Sequence, residues 1–340
     1  MKAILLAGGR GTRLKAVTGD LPKPLVPLLG RPLAEHILLL LRSHGFRQVC
    51  AALYYRPDEM KEALGDGSRF GLALSYHIEE RELGTAGAVK NCADFIGGED
   101  VLIISGDAAC DLDLTELMRR HRESGAAVTL ALHRDSSPLR FGLAVTDEHD
   151  AVRAFVEKPS WSRVVTDLVN TGIYVLSPRA LEEIPADRPF DFAKELFPRL
   201  LERGELLLGV PLEGYWCDVG TPLSYYRCCV DALEGRLRLE PGEAFHQASE
   251  PEESAAPPEG FVLELPCRDR AALMGRLSRW MLELPAEYSD GIRLRDPRYE
   301  LHIRPESEKN ALQIAVNAGD AEFARRLAFS ARDLALALDN

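Results

Sequence analysis

Residues 2–14, KAILLAGGRGTRL, carry a short apolar run straight into three glycines and two arginines, and residues 15–25, KAVTGDLPKPL, add two lysines and two prolines. A strand that ends in a loop with little side-chain bulk is how an open α/β sheet brings backbone N–H groups to an anion. Neither common phosphate signature fits. The dinucleotide pattern GxGxxG needs a third glycine where Leu14 stands, and GxxxxGK followed by Ser or Thr is absent. What remains is a glycine turn open to an anion, flanked by Arg10, Arg13 and Lys23, with Pro22 and Pro24 stiffening the backbone around that lysine.

From this loop outward, residues 2–235 alternate strand and helix. KAILLA reads as a strand, PLAEHILLLLRSHGF (from Pro32) as a helix, QVCAALYY as a strand and PDEMKEALGDG as a helix. LALSYHIEE, TAGAVKNCADFIG, DVLIISGD and LTELMRRHRESG repeat the alternation. Short apolar runs between helices predict a mainly parallel sheet covered on both faces, with ligands beyond the carboxyl ends of its strands. Residues 236–260, rich in proline and in small or acidic residues, read as a linker. Beyond it FVLELPC, GIRLR, YELHIRP and ALQIAVNA read as strands, and RDRAALMGRLSRWMLEL and DAEFARRLAFSARDLALAL as helices. The expected fold is α/β: a Rossmann-like, mainly parallel mixed sheet in residues 1–235, then a small α+β domain in residues 261–340.

The 340 residues are 46% hydrophobic and 28% charged, with a formal charge of −12. That balance excludes a general nucleic-acid surface, which needs a broad basic face. No apolar run approaches the roughly 18 residues that cross a bilayer, so no membrane span is expected. With no basic and apolar leader around Lys2, the expected location is the cytoplasm. Seven cysteines in no metal-ligand or CxxC spacing read as reduced, mostly buried thiols rather than a disulfide frame.

The stretches LLAGGRGTRL (residues 5–14) and LPKPLVPLLGRPL (residues 21–33) together resemble the signature of the sugar-1-phosphate nucleotidyltransferases. The resemblance implies that Leu6, Ala7, Gly8, Gly9, Gly11 and Thr12 approach a nucleoside triphosphate. It also implies that Arg13 neutralises the phosphates and the leaving pyrophosphate, and that Lys23 holds a phosphate. Further motifs follow in that family's order. ELGTAGAV, residues 82–89, opens a helix where Gly84 and Thr85 would contact the nucleotide. IISGDAAC, residues 103–110, ends a strand at Asp107, a carboxylate suited to Mg2+ bridging phosphates. By the same resemblance Gly142, Glu157, Lys158, Asn170 and Gly172 line a sugar-phosphate pocket with Asp107, Glu157 meeting sugar hydroxyls and Lys158 the phosphate. In YWCDVGTPLSYY, residues 215–226, Asp218 would be the second Mg2+ ligand; read alone, it is a turn aspartate capping the next helix.

The activity so implied is transfer of a nucleotidyl group from an NTP to a sugar 1-phosphate, with Arg13, Lys23 and Lys158 carrying the catalytic charges. GTP with mannose 1-phosphate is the favoured pair; UTP, and a glucose or heptose phosphate, stay open. The rival reading is a non-catalytic nucleotide-sugar sensor, against which the chain keeps Arg13, Lys23, Asp107 and Asp218. Residues 291–318, GIRLRDPRYELHIRPESEKNALQIAVNA, resemble the last domain of the phosphohexomutases, where a phosphate loop reads roughly RPSGTEP. Arg304, Pro305, Ser307 and Glu308 echo that loop, but Glu306 follows the proline, the glycine is missing, and Lys309-Asn310 end it. An added carboxylate would repel a phosphate, so a structural or regulatory role is expected there, with a homo-oligomer left open.

Overall fold

The computed structural model describes residues 1–9, 11, 21–135, 138–157, 160, 164–240, 242, 260–281, 284–306 and 309–339. The chain forms two compact units, residues 1–9 with 37–216 and residues 10–36 with 217–340.

In the first unit β1 (Lys2–Leu6), β2 (Gln48–Leu53), β3 (Ala73–Ile78) and β4 (Val101–Ser105) run parallel in the order β3-β2-β1-β4. β1 is apolar throughout its middle because both its faces are covered: Ala3, Ile4 and Leu5 are fully buried. Helices α1 (Leu33–Ser43), α2 (Pro57–Leu64), α3 (Gly84–Asn91) and α4 (Leu114–Ser124) follow the four strands in turn. α4 starts where the Asp113 side chain accepts from the backbone of Thr115 and Glu116. Among the described residues β5 (Val128–Arg134), β6 (Gly142–Thr146), β7 (Val152–Glu157), β8 (Leu168–Leu176) and β9 (Leu207–Pro211) complete a nine-stranded sheet. β8 runs antiparallel to β4, β5 and β6; β7 is antiparallel to β6, and β9 is parallel to β5. The sheet is mixed, as expected, and its antiparallel part begins where the short link from Thr146 to Val152 leaves no room for a crossover.

Ile4, Ile103, Leu130 and Tyr174 share one core with Phe192 and Phe197. The Tyr174 ring centroid lies 5.1 Å from that of Phe192 and 5.2 Å from that of Phe197, contacts worth about 0.5–1.5 kcal/mol beyond area burial. Phe192–Leu196 is a π-helical turn that runs into α5 (Phe197–Glu202).

In the second unit α6 (Pro222–Leu233) starts from a reciprocal cap: Thr221 Oγ1 accepts from Ser224 N, and Ser224 Oγ accepts from Thr221 N. The cap is Thr221, so the capping reading of Asp218 does not hold. β10 (Phe261–Pro266), β11 (Ala286–Glu287), β12 (Ile292–Asp296), β13 (Tyr299–Pro305) and β14 (Ala311–Ala318) form an antiparallel sheet in the order β10-β14-β13-β12-β11. Alternation buries Tyr299, Leu301 and Ile303 on one face. α7 (Arg270–Trp280) packs on β13, while α8 (Ala321–Asp339) packs on β14, β10, α6 and α7.

The turn after β13 binds its own domain. Arg270 donates to the carbonyl oxygens of Glu306 and, at 2.9 Å, of Lys309; Lys309 Nζ lies 2.9 Å from Glu264, and Arg304 Nε donates to Gln313 at 2.7 Å. Ser307, Glu308 and residues 241 and 243–259 of the expected linker lie outside the described residues. Among the described residues no helix is long and apolar enough to cross a membrane.

His36 makes the second unit sensitive to acid. It is 5% exposed, its Nε2 donates to Leu28 O at 2.7 Å, and burial lowers its pKa to about 4 against that hydrogen bond. The unfolded chain takes up this proton near pH 6.5, the folded chain only near 4. The contribution is therefore complete above pH 6.5 and is lost as pH falls toward 4, with about 2 kcal/mol gone at pH 5. His36→Gln keeps an N–H donor without the titration, so urea midpoints compared at pH 7 and pH 5 should fall less in the variant than in the wild type. An equal fall in both would remove His36 as the cause.

Candidate functional site

β1, β2 and β4 end level, because Leu6 lies opposite both Ala52 and Ser105. Ala7 N donates to Ala52 O at 3.1 Å and Gly106 N to Leu6 O at 2.8 Å, so the segments leaving these strands share one edge. Leu6, Ala7, Gly8 and Gly9 leave β1 there. A Cβ at Gly8 would lie 3.1 Å from Tyr54 N and 3.5 Å from Glu79 Oε1, whereas the same position at Gly9 meets open space. A side chain at Gly8 would therefore crowd the Tyr54 backbone, whereas Gly9 has room for one.

Glu79, which sequence reading overlooked, is 7% exposed, and its Oε2 accepts from Leu83 N at 2.9 Å. Burial raises its pKa above the usual carboxylate range; the Leu83 N–H opposes the shift and Glu82 adds to it. Gly84 takes a φ of +69°, and a Cβ there would lie 2.8 Å from Phe190 O. Thr85 Oγ1 donates to Asp191 Oδ2 at 3.1 Å and accepts from Phe192 N at 3.1 Å. The Thr85 hydroxyl thus has two partners within the protein.

Asp107 follows β4, and its Oδ1 accepts from Ser105 Oγ at 2.7 Å. β8 passes close to that serine: a Cβ at Gly172 would lie 3.3 Å from Ser105 Cβ. Gly142 and Glu157 pair across the β6-β7 hairpin with Asn170 beside them. A Cβ on Gly142 would lie 2.7 Å from Glu157 Oε2 and 3.9 Å from Asn170 Cβ. The pairing of β8 with β5 shifts between Asn170 and Tyr174, the kind of irregularity that re-aims a side chain. Asn170 Nδ2 donates to Tyr174 OH at 2.8 Å, and its Oδ1 accepts from Gly172 N at 3.2 Å. Trp216 Nε1 donates to Thr171 O at 3.1 Å, fixing the backbone between them.

In the second unit Lys23 opens a 3-10 turn, Lys23–Leu25, between Pro22 and Pro24. It is 7% exposed, and its Nζ lies 3.0 Å from Asp218 Oδ1. An ammonium this buried requires a counter-charge. Gly11 lies against it, with its Cβ position 3.0 Å from Lys23 Cβ. The fold therefore brings Gly11, Lys23 and Asp218 together although the ion pair spans 195 residues of sequence. Thr12, Arg13 and Lys158 lie outside the described residues. Among the described residues no group of three or more His, Cys, Asp or Glu side chains is placed to hold a metal ion. Asp107 and Asp218 are hard oxygen donors of the kind Mg2+ takes one or two at a time, its other positions going to phosphate and water.

The family model described as Nucleotidyl transferase matches residues 2–235. UTP–glucose-1-phosphate uridylyltransferase of Synechocystis sp. is 34% identical over 253 residues, 71% of this chain and 64% of the relative. Mannose-1-phosphate guanylyltransferase of Mycobacterium tuberculosis is 37% identical over 234 residues, 68% of this chain and 65% of the relative. The chain thus spans less than two thirds of the length of each. The crystal structure of HddC from Yersinia pseudotuberculosis complexed with GMP-PN matches with a TM-score of 0.59 and 29% identity, covering 67% of this chain and 97% of that one. The match across residues 2–235 takes in the glycine loop, both aspartates and the strand ends between them, and by it the chain belongs to the nucleotidyl transferase family.

Proposed function

We propose that the chain transfers a guanylyl group from GTP to mannose 1-phosphate, releasing pyrophosphate and forming a nucleotide sugar. The observation that carries the reading is the shared edge at the ends of β1 and β4, where the Gly8-Gly9 loop leaves one strand and Asp107, held by Ser105, leaves the other. Backbone N–H groups and a carboxylate at such an edge suit a metal-bound triphosphate.

An oxygen of the sugar 1-phosphate attacks the α-phosphorus, a new P–O bond forms, and the bond to the β-phosphate oxygen breaks as pyrophosphate leaves. The attacking phosphate is already ionised near neutral pH, so no protein base is needed, and alignment with charge stabilisation does most of the work. Lys23 and Arg13 offset charge on the leaving group, and Lys158 orients the attacking phosphate. Glu157 and Asn170, beside Gly142, meet the sugar. Asp107 in the first unit and Asp218 in the second are each a carboxylate that would take Mg2+, which would supply further charge neutralisation when bound with the triphosphate. Residues 261–340 are proposed to be a phosphohexomutase-type terminal domain that does not capture phosphate, since Arg270, Lys309 and Arg304 bind groups of the domain itself.

The choice of base turns on Glu79. A carboxylate accepts both N–H groups of a guanine edge, whereas a uracil edge offers one N–H beside a carbonyl and suits an amide better. The relative from Synechocystis keeps UTP as the second reading. Glu79→Gln is expected to lower kcat/KM with GTP by about tenfold or more and to raise relative use of UTP, the scale of one charge-assisted hydrogen bond. An unchanged GTP-to-UTP ratio would take Glu79 out of base choice.

Pyrophosphate release from each NTP with a panel of sugar 1-phosphates, in the presence of Mg2+, tests the whole proposal. Highest kcat/KM for GTP with mannose 1-phosphate is expected; UTP with glucose 1-phosphate would redirect it within the family, and nucleotide binding without turnover of any pair would leave a sensor.

A further inference from the structure

We infer that Asp191 is a positioning residue for the nucleotide base, acting through Thr85; the inference rests on the nucleotidyl-transfer reading above. Asp191 lies 106 residues beyond Thr85 and begins the π-helical turn Phe192–Leu196. Such turns are rare and gather at functional sites. The two oxygens of Asp191 divide two tasks. Oδ1 accepts from Ala193 N and Lys194 N at 3.0 and 3.1 Å, capping the turn, while Oδ2 accepts from Thr85 Oγ1 at 3.1 Å. Glu195 Oε2 closes the cap by accepting from Asp191 N at 2.9 Å.

The segment 190–192 then fastens the start of α3. Phe190 N donates to Leu83 O at 2.9 Å, and Phe190 O accepts from Ala86 N at 2.9 Å and Gly87 N at 3.0 Å. Phe192 N donates to Thr85 Oγ1. Leu83 N, on the other side of the turn, donates to Glu79. Gly84 is therefore held from both directions, with Phe190 O only 2.8 Å from where a Cβ would stand. These contacts couple the turn to segment 190–192, so a change at the Asp191–Thr85 bond reaches the Gly84 backbone and, through Leu83 N, Glu79. The base-facing wall is set from a distant stretch of chain, and Thr85 transmits that setting rather than touching the nucleotide.

The test uses the full chain. Asp191→Asn keeps an oxygen for the cap but presents an amide N–H2 that cannot accept the Thr85 proton; Thr85→Val removes the hydroxyl at nearly constant shape, and Thr85→Ser restores it. Each of the first two is expected to raise KM for GTP by about tenfold with kcat within about threefold, the signature of lost substrate positioning rather than lost chemistry. Both should also lower the preference for GTP over UTP. The double variant should be no worse than the poorer single, and Thr85→Ser should match the wild type. Lower melting temperatures with wild-type KM and base preference would show a structural role alone and overturn the inference while leaving the function intact. A wild-type chain that turns over no pair overturns both.

Discussion

Asp218→Asn should lower pyrophosphate release by about a thousandfold, the scale of losing one charge-stabilising group at a phosphoryl-transfer centre. It should also lower folding stability by about 1.5–3 kcal/mol, the scale of one charge-assisted hydrogen bond, because Lys23 loses the carboxylate 3.0 Å from its buried ammonium. The two effects are separable. Lys23→Met combined with Asp218→Asn removes both charges, so it is expected to recover most of the stability while turnover stays as low as in the single variant. Urea unfolding measured beside the pyrophosphate assay reads both quantities. Wild-type turnover in Asp218→Asn would sink the role given to Asp218.

Asp107→Asn gives the cleaner reading of charge. The asparagine keeps the oxygen that accepts from Ser105 Oγ, so unfolding should change by less than turnover does, by about 1 kcal/mol or less. Turnover should nonetheless fall about a hundredfold or more, since the metal-binding negative charge is gone. A variant of unchanged activity would take Asp107 out of the mechanism. One that loses activity and stability together would instead make the Ser105 bond a matter of folding.

Much of the fold is legible in the sequence because its signals are local. KAILL, QVCAAL and VLIIS are short, mainly apolar runs of strand length, and LTELMRRHRES carries helical spacing behind the cap Asp113. The site is legible where a motif sits at a strand end, as at Gly8, Gly9 and Asp107, or where two motifs form one hairpin, as at Gly142 and Glu157. It is not legible where partners meet only in three dimensions. No spacing rule links Lys23 to Asp218 or Thr85 to Asp191, and each pair is decided by the packing of distant segments. Thr85 shows the consequence: a small polar residue at a helix start fits ligand contact and internal bonding equally well until its partner is known. Glu79 escaped for another reason, since it is one of three acids at a charged strand end, where carboxylates are most often solvated, and its 7% exposure sets it apart only in the folded chain.

β1 lies in the interior of its sheet and precedes both of its neighbours in the chain, since they begin at Gln48 and Val101. During translation KAILL therefore emerges as an apolar ribbon with both edges open, the form of strand most prone to pair with another chain. The cations that follow it, Arg10, Arg13 and Lys15, stand where natural sequences place charged gatekeepers beside unavoidable hydrophobic strands. The cations beside the glycine loop thus give this strand a flanking charge that opposes aggregation before its sheet partners have been made.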